Sequence, residues 1–179
     1  MYGALGVKSS IVSKPVRVGT DISNAVQVAG GGKSGSDDWH VNSIGNTGYT
    51  YILKEDGTVS SLGYNVNGEL GNGAKASTTA VQKVSNLTEI MQVAGSKNGN
   101  FGAAVKEDGT VWTWGRNDGG QLGNKKTTVS AIPQRVKGGA SGSEYLTDVV
   151  QVTAGNWHSM ALKANGTVYA LSLIHISEP

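Results

Sequence analysis

The sequence predicts an all-β chain: a β-propeller array whose blades are sheets of four antiparallel strands. Three observations carry that prediction. A phrase recurs with a fixed period: from Asp56-Gly57-Thr58-Val59 to Asp108-Gly109-Thr110-Val111 the offset is 108 − 56 = 52, and the same offset carries Gly68-Glu69-Leu70-Gly71 onto Gly120-Gln121-Leu122-Gly123. Composition agrees, with 27 Gly against 3 Pro and a single Phe in 179 residues, a profile that suits short strands and tight turns better than long helices. Between the turns, apolar and polar residues alternate with the period of a strand. Four strands recurring at roughly fifty residues are the signature of a propeller blade, and such blades close into rings of about 4–8.

The strands follow in order. One strand is read in Gln27-Val28-Ala29-Gly30, again in Gln92-Val93-Ala94-Gly95, and once more in Gln151-Val152-Thr153-Ala154-Gly155. The next two are clearest in "FGAAVKE" and "TVWTWG", which flank Asp108-Gly109. Two residues tolerant of positive φ predict a two-residue hairpin turn there. Alternation sets Trp112 and Trp114 on one face of the sheet and Val111 and Thr113 on the other. The fourth strand is read in Pro15–Val18, Ala80–Val84 and Pro133–Val136. Glycine- and serine-rich inserts at Gly31–Ser43 and Lys137–Tyr145 break the period and read as loops.

Charge narrows the function classes. There are 15 Lys and Arg against 13 Asp and Glu, a formal net charge of +2, with no basic run longer than Lys125-Lys126. That is no footprint for a phosphate backbone, so nucleic acid is not an expected partner. The lack of cysteine excludes thiolate metal sites, disulfides and cysteine nucleophiles. No apolar stretch approaches membrane-spanning length, so insertion into a bilayer is not expected.

Each chemical candidate has a structural alternative. "GGGKSGS" at Gly30–Ser36 ends like a phosphate loop, but the first glycine of that motif would fall on Gln27 and no helical pattern follows, so a surface insert is the better reading. Asp37, Asp38, Trp39 and His40 gather two carboxylates, an indole and an imidazole in one loop, without a second cluster of ligands to complete a metal or acid–base site. They are taken as a partner-binding loop with Trp39 as its anchor, since interface hot spots favour Trp. Glu55-Asp56 and Glu107-Asp108 recur in the same hairpin and serve the turn. Trp112, Trp114, Tyr64 and Tyr169 read as packing between blades, and Gly57, Gly63, Gly68, Gly71, Gly109, Gly115, Gly120, Gly123 and Gly166 as turn positions. The expectation is a protein with no catalytic residues, no metal and no cofactor.

"VWTWGRNDGGQLGN" at Val111–Asn124, preceded by "AAVKEDGT" and followed by "VVQVTAGNWHSMALKANGTV", resembles the regulator of chromosome condensation repeat family. The resemblance implies a seven-bladed propeller, of which residues 1–170 supply a partial array of about three blades. It also implies that His158 is a structural histidine bridging neighbouring strands; the corresponding stretch of the preceding copy, "GSKNGNFG", has none. After Ala170 the pattern lapses, and "LSLIHISEP" at Leu171–Pro179 looks like the in-frame translation of a transposase adapter from sequencing-library preparation. The family includes guanine-nucleotide exchange factors for a small GTPase, a secreted inhibitor of β-lactamases and many bacterial surface proteins. The reading taken is a non-catalytic protein-binding propeller within a larger bacterial secreted or surface protein; nucleotide exchange and enzyme inhibition are the alternatives.

Overall fold

The computed structural model describes residues 22–32, 48–138 and 145–171. Eleven strands form three antiparallel sheets in chain order. The first blade holds β1 (Ala25–Gly31), β2 (Tyr49–Lys54), β3 (Val59–Gly63) and β4 (Thr78–Lys83). The second holds β5 (Ile90–Gly95), β6 (Phe101–Lys106), β7 (Val111–Gly115) and β8 (Ser130–Arg135). In the third, β9 (Val149–Ala154), β10 (Ser159–Lys163) and β11 (Val168–Leu171) are described. Each sheet is a meander, with every strand hydrogen-bonded to its neighbour in sequence, so loops alternate between the two ends of each blade.

Two cores fill the spaces between sheets. Tyr49, Tyr51, Leu53, Val59, Val93, Ala104 and Trp114 pack between the first and second blades, while Ala103, Val105, Val111, Val149, Val152, Ala161 and Leu171 pack between the second and third. Neighbouring residues of β6, Ala103 and Ala104, therefore face different cores, as the two-residue period of a strand requires. Trp112 joins Trp114 on the first core and Val111 lies on the second. The two middle strands of the second blade, β6 and β7, are buried on both faces and are almost wholly apolar for that reason. Leu171, placed with the tail by the sequence reading, pairs with Ser159 and lies buried in β11, at the register position of Leu62 and Trp114.

The inner strands β1, β5 and β9 run side by side in one direction, without a backbone ladder between them. Glutamine side chains do the joining. Gln27 donates from Nε2 to Val93 O at 3.1 Å and accepts from Val93 N at 3.0 Å, and Gln92 accepts from Val152 N at 2.7 Å. The recurring Gln of the inner-strand phrase is thus an amide clip that stands in for a strand pairing. Tyr49 adds a second link, its hydroxyl donating to Ser96 O at 3.0 Å and Phe101 O at 2.7 Å in the next blade.

The hairpins differ from the two-residue turn predicted for them. Only the glycine is left-handed, with φ of 71° at Gly57, 74° at Gly109 and 85° at Gly166; neither aspartate is. Gly57 N bonds to Lys54 O and Lys54 N to Thr58 O, a type I turn followed by a left-handed glycine bulge. The side chain before the glycine explains the choice. Asp56 Oδ1 accepts from Thr58 N at 2.9 Å and Thr58 Oγ1 at 2.6 Å, and Asp108 repeats both bonds with Thr110. These bonds hold both carboxyls below the usual carboxylate range. Asn165 makes the same pair of bonds to Thr167, so the turn needs an oxygen acceptor and not an acid.

These hairpins also seat the following blade. Ile90 N donates to Gly57 O and Val149 N to Gly109 O, each at 3.0 Å. A methyl group on Gly109 would lie 2.9 Å from Asp148 N and 3.0 Å from its Cα, whereas one on Gly166 meets nothing within 4 Å. Gly166→Ala is expected to cost about 1 kcal/mol, the strain of a left-handed alanine. Gly109→Ala, which adds a backbone clash at a seam between blades, should cost at least about 2 kcal/mol more. Equal urea midpoints for the two variants would refute the seating role.

Candidate protein-docking face

At the end of the blades reached by the carboxyl ends of the inner strands lie the β3–β4, β5–β6, β7–β8 and β9–β10 loops. The opposite end carries the hairpins and the connections between blades. The residues flanking the two sequence inserts are therefore at opposite ends: Gly32 and Gly48 border one, while the other is pinched at its base by an isolated bridge between Lys137 and Tyr145. Asp37, Asp38, Trp39 and His40 lie outside the described residues.

A buried asparagine organises each long loop. Asn117 Nδ2 donates to Lys126 O at 2.8 Å and Thr128 O at 3.1 Å, while its Oδ1 accepts from Leu122 N at 3.0 Å. Asn65 does the same in the blade before, with Ala74 O, Ala76 O and Leu70 N. The hydroxyls of Ser61 and Thr113 tie Leu70 O and Leu122 O, both at 2.7 Å. Every polar atom of these asparagines' amides is used, so the loops are fixed from beneath.

Trp157 stands on this platform, 43% exposed. The Arg116 guanidinium lies 4.5 Å from its ring centroid and also pairs with Asp118 at 2.5 Å. Gly119 lets the indole approach, since a methyl group there would sit 3.3 Å from the ring. Val66, at the loop position that Asp118 holds in the next blade, is exposed. The arrangement can engage an apolar or aromatic group beside a charge, and stacking against an arginine holds the indole oriented. Sequence reasoning passed over Trp157, which sits inside a repeat phrase and carries no signal of exposure; the structure places it in the β9–β10 turn.

His158, also exposed, occupies the register position of Tyr49 and Phe101, which are buried. Its carbonyl accepts from Gly155 N at 2.9 Å and its ring covers Gly155. Trp114 is fully buried and donates from Nε1 to Glu69 O at 2.8 Å, where the Tyr51 hydroxyl also ends. Tyr169 is partly exposed beside Lys163. Gly57, Gly63, Gly71, Gly109, Gly115, Gly123 and Gly166 all take left-handed φ values between 58° and 115°. Among the described residues no group of three His, Asp or Glu side chains could hold a metal, and no helix is long and apolar enough to cross a membrane.

Comparison with known proteins fits this geometry. The family pattern described as "Regulator of chromosome condensation (RCC1) repeat" matches residues 108–162, and a second pattern of that description matches residues 94–121. Residues 94–162 thus carry RCC1 repeats. It is 29% identical over 153 residues to the mouse E3 ubiquitin-protein ligase HERC2, a match covering 84% of this chain and 3% of that protein. With the human X-linked retinitis pigmentosa GTPase regulator the identity is 31% over 139 residues, covering 75% of this chain and 12% of that protein. Human WBSCR16 superposes with a TM-score of 0.62 at 23% identity, covering 85% of this chain and 34% of that structure. Prp20p of Saccharomyces cerevisiae superposes equally well, at 21% identity over 88% of this chain and 33% of its own. This chain thus spans about a third or less of each of these proteins, and the solved structures show its fold as part of a β-propeller.

One repeat position stands out chemically. Glu69 is fully buried, and its carboxylate accepts from Asn67, through the backbone N at 2.9 Å and the side-chain amide at 2.8 Å. The next repeat has neutral Gln121 there. Burial raises the Glu69 carboxyl above its usual value, outweighing the bonds from Asn67 and the more distant Arg116. A raised carboxyl keeps its proton longer in the folded than in the unfolded state, so folding stability falls as pH rises from about 4.5 toward neutrality. Glu69→Gln is expected to raise stability at pH 7 by about 1 kcal/mol, or about 2–4 °C in Tm, with the gain vanishing near pH 4. Melting curves at the two pH values decide it; an equal effect at both would exclude titration as the cause.

Proposed function

We propose that this chain is part of a non-catalytic propeller that binds another protein through the loop face centred on Trp157. The supporting observation is the exposed indole, stacked on Arg116 and carried by loops whose backbones are fixed from within. Trp and Arg are enriched among residues that dominate binding energy at interfaces, and a pre-ordered anchor loses little entropy on docking. A larger bacterial secreted or surface protein is the proposed setting, on sequence features alone: plain Gly- and Asn-rich repeats and the lack of cysteine. The solved Prp20p is described by its binding to Gsp1p and histones, and for this chain a GTPase would be one protein partner among others on the same face.

A photo-cross-linking residue at position 118, beside the indole, is expected to capture a partner in the source cells, and Trp157→Ala should abolish that capture without lowering Tm. The same reporter at position 165, on the opposite end, should capture nothing. Capture from 165 and not from 118 would move docking to the hairpin end.

A further inference from the structure

The two ends of the blades differ in charge, although the chain as a whole is close to neutral. Among the described residues, Lys75, Lys97, Arg116, Lys125 and Lys126 stand in the loops at the Trp157 end of the blades, against one exposed carboxylate, Asp118, which Arg116 already engages. The four lysines make no ion pair among the described residues. Among the described residues the other acid at this end, Glu69, is buried. At the opposite end charges cancel locally: Lys106 pairs with Glu89 at 2.8 Å and Lys163 with Asp148 at 3.4 Å, and the hairpins add Glu55, Asp56, Glu107 and Asp108.

The lysines are held out from ordered backbone. Lys125 takes a left-handed φ of 61°. Lys126 N donates to Asn124 Oδ1 at 3.0 Å, while Lys126 O accepts from buried Asn117. Lys75 sits between Ala74 and Ala76, whose carbonyls Asn65 grips in the same way. Loops fixed like this present cations without a large ordering cost on binding.

We infer that the loop face takes an acidic polypeptide segment, its carboxylates meeting Lys97, Lys125 and Lys126 and a neighbouring side chain resting on Trp157. The inference rests on the docking face proposed above and adds the chemistry of the occupant. A polypeptide is favoured over nucleic acid because the cations lie on three separate loops, with the Asp118 carboxylate among them and exposed Val66 beside them. Affinity for a phosphate backbone needs many aligned cations and few acids. Carboxylates on flexible side chains can match an irregular cationic surface.

A fluorescein-labelled polyglutamate peptide carrying one tryptophan, titrated by anisotropy into the full chain, tests the inference. Binding is expected to weaken as salt rises. Lys125→Glu/Lys126→Glu should reduce affinity by at least about tenfold, while Lys54→Glu/Lys83→Glu at the other end should change it less than about twofold. Circular dichroism establishes that both variants remain folded. No peptide binding, equal losses in the two double variants, or tighter binding of a DNA duplex of matched charge would each overturn the inference. Cross-linking from position 118 combined with no polyglutamate binding would refute the acidic partner and leave the docking face standing; failure of both would refute both.

Discussion

The side-chain amide clip between inner strands is the interaction on which the rest of the structure depends. A blade has two edges, and an unpaired strand edge exposes donors and acceptors that invite wrong partners. Here the inner edge of each sheet is closed against the next by Gln27 on Val93 and Gln92 on Val152. A continuous backbone ladder would merge the sheets into one and flatten the array. A side-chain clip leaves each sheet its own twist while fixing its neighbour, and that separation lets two apolar cores form between successive blades. Tyr49, the hairpin glycines and Trp114 then reinforce contacts whose spacing the glutamines have already set.

Much of the fold was legible because the repeat states it more than once. Any single "DGTV" or "QVAG" is weak, but two phrases in one register, with alternation between them, leave few alternatives to a four-stranded unit. Local chemistry was harder to read. The hairpin sequence fits a two-residue turn, and only the bonds from Asp56 and Asp108 to the threonines two residues on favour the longer loop. Gln27 and Gln92 look like solvent-facing strand residues, since nothing local shows that a neighbouring blade stands within reach. Leu171 belongs to a strand because its apolar side chain meets a core, whatever follows it.

The docking face was less legible still, for a physical reason. Exposure is a property of the turn that carries a residue, not of the residue, and the repeat phrase holding Trp157 resembles those that bury their aromatics. The polarity of the two ends is also invisible along the chain, where acids and bases alternate at short intervals. Folding the meander sorts them, because hairpins deliver their acidic pairs to one end and long loops deliver lysines to the other. A net charge of +2 thus conceals, among the described residues, a basic end and a balanced one.

Amide hydrogen exchange at Val93 and Val152 tests the clip most directly, since each amide ends on a glutamine oxygen of the preceding blade. In the unaltered chain both should exchange as slowly as the interior amides of β6. In Gln27→Ala, Val93 should exchange at least about tenfold faster while Val152 keeps its protection; in Gln92→Ala the pattern should reverse. Unchanged protection of Val93 in Gln27→Ala would contradict the account and leave the apolar cores alone to hold the blades in register.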